Sequence, residues 1–328
     1  MTRFRLRQDF VTQFLEDADD ESSLLKLALN RGWLNCVGID TNRKPVYAFF
    51  HASFQEYFAA KAIDNWDFFL NHVPKNPSQG TYRIFEPQWK QTILLWLGRE
   101  EENLKQQKQQ FIDALVNFKD ECWNLDDFYK GFYEYRAYFL AAAGIAEFRD
   151  DSRADEIIAQ IIKWCFGHFY TKKQEWIQFP YPIQKEAKSA LQQTDRKKAI
   201  AALVQLLQLN NVDYDTRRQA AKSLGIIDPG NKIAIAALVQ LLQSNIKDYI
   251  TCMLVASSLS EILHNNQDSF AVVKALSAYW RFDYHCYNVI WKCAHSMPYP
   301  DFYQAWHQHN IVTRAMQSLK KILFTRII

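Results

Sequence analysis

The side chains best suited to chemistry gather late in the chain: His285, Cys286, Cys293, His295, His307 and His309 lie close together. Thiolate and imidazole are the ligands zinc prefers, but structural zinc sites space them more tightly and flank them with turn residues. Cys286 and Cys293 stand seven apart, so one helical face can carry both. A free cysteine commonly serves as a small buried hydrophobe. The expectation is therefore no metal. The same stretch is dense in rings: Tyr279, Trp280, Phe282, Tyr284, Tyr287, Trp291, Tyr299, Phe302, Tyr303 and Trp306. Trp and Tyr dominate binding hot spots, which makes Tyr284, Tyr287, Trp291, Tyr303 and Trp306 the candidate partner-binding residues. The alternative is an apolar cap that closes the fold.

Other chemistry is thin. Gly225–Lys232 (GIIDPGNK) comes close to a phosphate-binding G-x-x-x-x-G-K-[ST] loop. Asn231 breaks its register, no Ser or Thr follows Lys232, and the preceding residues have a helical pattern where a P-loop needs a strand. It is expected to be a turn between helices. The chain has no G-x-G, G-x-S-x-G or H-E-x-x-H, so no catalytic constellation can be read from it.

These residues need a frame, and composition says which kind. The 328 residues include nine glycines, where average usage of about 7% gives roughly 23. Few glycines argue against folds rich in tight strand turns and phosphate loops. The formal charge of +3 is too small to imply a polyanion partner, so nucleic acid is not expected. Residues 1–200 carry 27 positive and 28 negative side chains, and residues 201–328 carry 12 and 8. No C-x-x-C, secretory h-region or long apolar run occurs. The six cysteines read as reduced thiols of a cytoplasmic protein with no membrane span.

The strongest internal signal is repetition. AIAALVQLLQ occurs at 199–208 and again at 234–243, 35 residues on. Beyond it, Asp213, Tyr214, Thr216, Ala221, Ser223 and Leu224 recur as Asp248, Tyr249, Thr251, Ala256, Ser258 and Leu259, and one further period reaches Asp283 and Tyr284. Ile200, Leu203, Val204 and Leu207 form a helical stripe. Asp213 is placed to cap a second helix, with Asp215 its rival. In that helix Ala220, Ala221, Leu224 and Ile227 face inward, as do Val255, Ala256, Leu259 and Ile262 one period on. Asp228–Asn231 is turn chemistry. Such pairs bury their stripes only by stacking. The pattern resembles HEAT repeats, including the short form of bilin-lyase-type proteins. The Asp and Arg usual in such a unit are matched by Asp213 and Arg217, but Cys252 replaces the arginine in the next repeat.

The first half has a different texture. Residues 23–34 form an amphipathic helix, and 36–40 and 46–50 are strand-like around a hairpin loop. Residues 52–63 are helical, with Ser53 and Glu56 placed as a capping box. Phe54, Tyr57 and Phe58 are expected in the core. Residues 64–90 are the best linker candidate, although their aromatics suggest packing. Residues 135–148 read as a buried helix that opens the solenoid.

Tyr47–Ala60 (YAFFHASFQEYFAA) resembles the F-x-H-x-[ST]-F-Q-E-[YF]-F-A-A segment that closes the winged-helix domain of NACHT-type STAND ATPases. IFEPQWKQTILLWLG (84–98) is similar to the helical domain that follows there, and HSMPYPDFYQAWH (295–307) to the tails of bacterial, especially cyanobacterial, NACHT proteins with HEAT-type C-termini. The resemblance implies that His51 contacts the β-phosphate of ADP in an intact parent protein. It also implies that ATP or ADP belongs to that parent, since this chain has no Walker motifs and should not hydrolyse ATP alone.

The expected fold is mainly all-α: an α-solenoid of HEAT-type repeats preceded by a small winged-helix unit with a short β-hairpin. The expected domains are 1–72, a helical spacer 73–133, and a solenoid 134–328. The expected role is a regulatory, ligand-sensing module that meets an NTPase domain in cis or trans and binds a partner through the repeats. The alternative is a stand-alone HEAT scaffold or a bilin-lyase-like chaperone.

Overall fold

The computed structural model describes residues 5–308 other than 17–19, 21, 123–129, 171–173, 245–248, 264 and 278–283. Two compact units result, Met1–Asp151 and Ser152–Ile328. Most of the described chain is helical, with small antiparallel sheets. None of the described helices is long and apolar enough to cross a membrane.

The first unit opens with β1 (Leu6–Arg7), α1 (Gln8–Leu15), α2 (Leu24–Asn30), β2 (Leu34–Ile39), β3 (Pro45–Phe49) and α3 (Ala52–Ala62). The expected helix–hairpin–helix order is present. A third strand, β1, pairs with β3 and gives the sheet order β1-β3-β2. Its two residues are too few to leave an alternating pattern. Val11, Leu25, Leu34 and Tyr47 form the buried centre.

The unit continues with β4 (Leu70–Asn71), β5 (Thr81–Tyr82), α4 (Lys90–Leu97), α5 (Lys105–Val116) and α6 (Phe132–Glu147). Residues 64–90 pack: Phe69 is fully buried, and its ring lies 5.9 Å from both Trp96 and Phe111. Trp96 donates its indole N–H to the Ile63 carbonyl at 2.9 Å. α6 packs on α4 and α5 in this unit. Its Gly144 admits the close approach, since a Cβ there would lie 2.7 Å from Leu97 Cδ1.

The second unit contains α7 (Ala154–Phe166), the hairpin β6 (His168–Tyr170) and β7 (Glu175–Ile177), and α8 (Tyr181–Gln193). Helix pairs follow: α9 (Arg196–Gln208) with α10 (Tyr214–Ile227), α11 (Lys232–Ser244) with α12 (Tyr249–Ile262), and α13 (Asn266–Leu276) with α14 (Tyr284–Ser296). Residues 299–308 are helical again. Each pair packs internally and on the next, which is the α-solenoid the repeat implies.

Caps set the register of these pairs. Asp213, not Asp215, caps α10, accepting the Thr216 N–H at 3.0 Å. Asp195 and Asn265 do the same for α9 and α13. Arg217 donates to the Leu207 and Leu209 carbonyls at 3.0 and 2.8 Å and so closes the end of α9. Its counterpart Cys252 is buried and cannot do this. Of the α9 stripe, Leu203 and Leu207 are buried while Ile200 and Val204 are half-buried. Ala220, Ala221 and Leu224 are fully buried in α10, and Ile227 is half-buried.

Candidate functional site

The glycine-lysine segment is an inter-helix turn. Gly225 lies inside α10, and α11 starts at Lys232. Asn231 Oδ1 accepts the Ile233 and Ala234 amides at 3.0 and 3.2 Å. Gly230 (φ 82°) supplies the left-handed turn residue. A Cβ on Gly225 would lie 2.6 Å from Ile262, so this glycine serves the approach of α10 to α12.

His51 is itself the N-cap of α3, two residues earlier than the expected Ser53 cap. Its backbone is extended (φ −137°, ψ 145°), and Nδ1 accepts the Ser53 amide at 3.2 Å and contacts Ser53 Oγ at 2.8 Å. The ring competes successfully for the orphan amide, so Ser53 enters the first turn. An accepting Nδ1 places the proton of the neutral ring on Nε2, on an exposed side chain. That is a usable phosphate donor. It is a single one: no glycine-rich strand-to-helix loop accompanies it among the described residues, so this corner alone does not make a nucleotide site.

Phe54 and Phe58 are half-buried, and Tyr57 is 46% exposed. This corrects the expectation of a shared core face. Phe58 packs on Trp33 and Phe49 at 5.6 and 6.0 Å, and Tyr57 lies edge-on against Phe58.

Cys286 and Cys293 both lie on α14 and both are buried. Burial pushes the Cys293 thiol up to about 11. His285 is buried as well, with the Tyr249 ring 4.6 Å away. His295 meets Trp291 and His307 meets Tyr303. Among the described residues, no three His, Cys, Asp or Glu side chains converge as a metal site would require. His309 lies outside the described residues.

The aromatic candidates do come together. Tyr287, Trp291, Tyr303 and Trp306 line one cleft of about 420 Å³ between α14 and the helical stretch 299–308. Tyr287 stacks on Trp291 (6.1 Å, 11°) and Phe302 on Trp306 (5.9 Å, 18°). Tyr284 does not line the cleft; it stands 68% exposed at the start of α14. Tyr279, Trp280 and Phe282 lie outside the described residues.

Three further residues belong with these. Ile250, Met253 and Leu254 on α12 are 64%, 41% and 38% exposed. One period earlier, α10 carries Asp215, Arg218 and Gln219. There Arg218 pairs with Asp215 at 2.5 Å and donates to Ser258 Oγ at 3.1 Å. Lys222 reaches Glu261 at 2.7 Å. On α14 the buried positions Cys286, Val289, Ile290 and Cys293 follow Cys252, Val255, Ala256 and Leu259 by 34 residues, so the period shortens by one. In that register Tyr284, Tyr287 and Trp291 occupy the same face as Ile250, Met253 and Ser257. The face thus runs from paired and polar on α10, to aliphatic on α12, to aromatic on α14. Sequence reasoning passed over Ile250, Met253 and Leu254, although aligning them with α10 reveals the change.

Two family models match parts of the chain. Residues 179–252 match the family model for HEAT repeats. Residues 278–307 match the one described as NACHT C-terminal Cysteine and Histidine-containing. No curated protein and no solved structure matches. Each model covers well under half of the chain, and neither describes a catalytic domain. Together they support a NACHT-associated C-terminal piece carrying HEAT repeats.

Proposed function

We propose that this chain is the regulatory, partner-recognising C-terminal module of a NACHT-type signalling NTPase and acts in the cytoplasm. The carrying observation is the exposed apolar face on α12 and α14, where α10 has ion pairs. Contiguous exposed apolar surface of this kind marks interaction sites. Its α14 part lies within the segment similar to a NACHT C-terminal family. The N-terminal helix–hairpin–helix is read as a winged-helix element that couples binding to a nucleotide switch. His51 Nε2–H would donate to an ADP phosphate supplied by an NTPase domain. Partner binding would then bias a two-state packing of the parent protein.

The test joins this chain with a NACHT-type NTPase segment encoded upstream of it or beside it. A stable complex is expected. His51→Ala should speed ADP release about tenfold, the loss of one charge-assisted hydrogen bond. Absence of a complex, or ADP release indifferent to His51, contradicts the reading. An upstream or adjacent region without a Walker A lysine contradicts it earlier.

A further inference from the structure

The first unit holds a cavity of its own, about 400 Å³ in volume, within the range of about 300–1,000 Å³ usual for small-molecule sites. Its walls come from the β4–β5 hairpin, the residues just after it, the residues after α5, and the start of α6. Four of the lining rings pack on one another. Tyr82 and Phe85 lie nearly parallel (6.4 Å, 12°). Phe118 stands edge-on to both, at 6.3 and 5.3 Å. Tyr133 stands edge-on to Phe85 at 4.8 Å. Walls made of ring faces and edges suit another planar ring.

The polar groups of the wall select the rest of the ligand. His72 lines the cavity, and its Nδ1 lies 3.1 Å from the Tyr82 hydroxyl. That hydroxyl accepts the Val73 amide at 3.0 Å. The Val73 carbonyl already accepts the Asn76 amide at 3.2 Å and lies farther from the hydroxyl, at 3.4 Å. The hydroxyl proton therefore goes to Nδ1, and the proton of the neutral ring sits on Nε2. Nε2 is buried and has no hydrogen-bond partner among the described residues, an arrangement that costs stability until an acceptor arrives. Asp120 has no such spare capacity. Its Oδ1 accepts the Cys122 amide at 2.9 Å and its Oδ2 the Tyr133 amide at 2.7 Å. Lys119 reaches Glu134 at 3.2 Å, but Lys130 approaches the same oxygen at 3.8 Å, so Glu134 keeps a cation if Lys119 turns toward the cavity. What the wall still offers is donors.

We propose that this cavity binds a small planar aromatic carboxylate. The ring lies among Tyr82, Phe85, Phe118 and Tyr133, and the carboxylate accepts from His72 Nε2–H and Lys119. A charged acceptor gains more from such donors than a neutral one does. An aromatic cation, which aromatic walls alone would also welcome, meets Lys119 instead of a free acid. Cys122 lies in the same wall and is exposed, which makes it a built-in reporter of occupancy.

The test uses the full chain, with naphthoate as the probe and a naphthyl trimethylammonium ion as its cationic counterpart. Calorimetry should give naphthoate a Kd below about 1 mM and the cation a value at least about tenfold weaker. Naphthoate should slow the reaction of Cys122 with a thiol reagent about tenfold and leave Cys36, exposed on β2, unchanged. His72→Phe and Lys119→Gln should each weaken naphthoate about tenfold, the loss of one charge-assisted hydrogen bond. Lys119 is 66% exposed, so its variant folds even if the His72 variant does not. No naphthoate binding, binding that leaves Cys122 as reactive as before, equal affinity for the cation, or indifference to Lys119→Gln overturns the proposal. Neither a partner nor an NTPase domain enters the experiment, so its failure is separable from that of the recognition reading.

Discussion

α9 and α11 contain the same ten residues, yet the helices that follow them differ. Ala199, Leu203, Leu206 and Leu207 are buried in α9, and Ala234, Leu238, Leu241 and Leu242 are buried at the same places in α11. The scaffold is therefore copied. α10 then carries a paired polar face, while α12 carries Ile250, Met253 and Leu254 in the open. Stacking constrains the inner positions of both helices and leaves the outer face free to vary. The two repeats thus share their packing and differ on their outer face.

The largest expected effect tests the copied part. Leu224 and Leu259 are equivalent and fully buried, so Leu224→Ala and Leu259→Ala should each cost about 2–5 kcal/mol by thermal or urea unfolding. A large inequality would show that the two repeats are not equivalent inside. Gly225→Ala comes next, at about 1–3 kcal/mol, because its methyl would overlap Ile262. A neutral outcome would mean that α10 and α12 can separate freely.

Thiol chemistry gives a smaller, sharper comparison. Cys36 and Cys122 are exposed, whereas Cys165, Cys252, Cys286 and Cys293 are buried. A thiol reagent should label the first two in the native chain and the other four only on unfolding. Burial raises the Cys293 thiol from 9.0 to about 11. The folded state then keeps a proton that the unfolded state releases, so stability should fall as pH rises from 9 toward 11. Cys293→Ala should reduce that slope, and the buried Cys165 thiol, which burial also raises, should keep part of it.

The smallest expected stability effect is the most telling. Ile250→Asp, Met253→Arg and Leu254→Gln together write the α10 face onto α12. These residues are exposed, so the triple variant should unfold within about 0.5 kcal/mol of the parent. A large loss would mean that the stripe is part of the fold rather than a surface for a partner.

Much of the fold was legible because periodicity carries it. The 35-residue repeat located α9 to α12, and Asp213 and Asp228–Asn231 marked a cap and a turn. Features set by tertiary contact were not legible. His51 displaced Ser53 as cap because its ring could reach an amide. Tyr57 stays exposed because Phe58 already fills the contact with Trp33 and Phe49. The five aromatic candidates were named from composition alone, and four of them share a cleft that no linear pattern could reveal. The α12 stripe was present in the alignment and needed only the question of which positions fail to repeat.

The central claim is that the α12–α14 face recognises a partner. Its most direct test places a photo-crosslinking side chain at Met253 or at the equivalent Arg218, with the chain in its native cell. The expected result is a discrete adduct from position 253 that Trp291→Ala weakens, and none from position 218. Equal labelling at both positions, or adducts of the chain with itself alone, would contradict it.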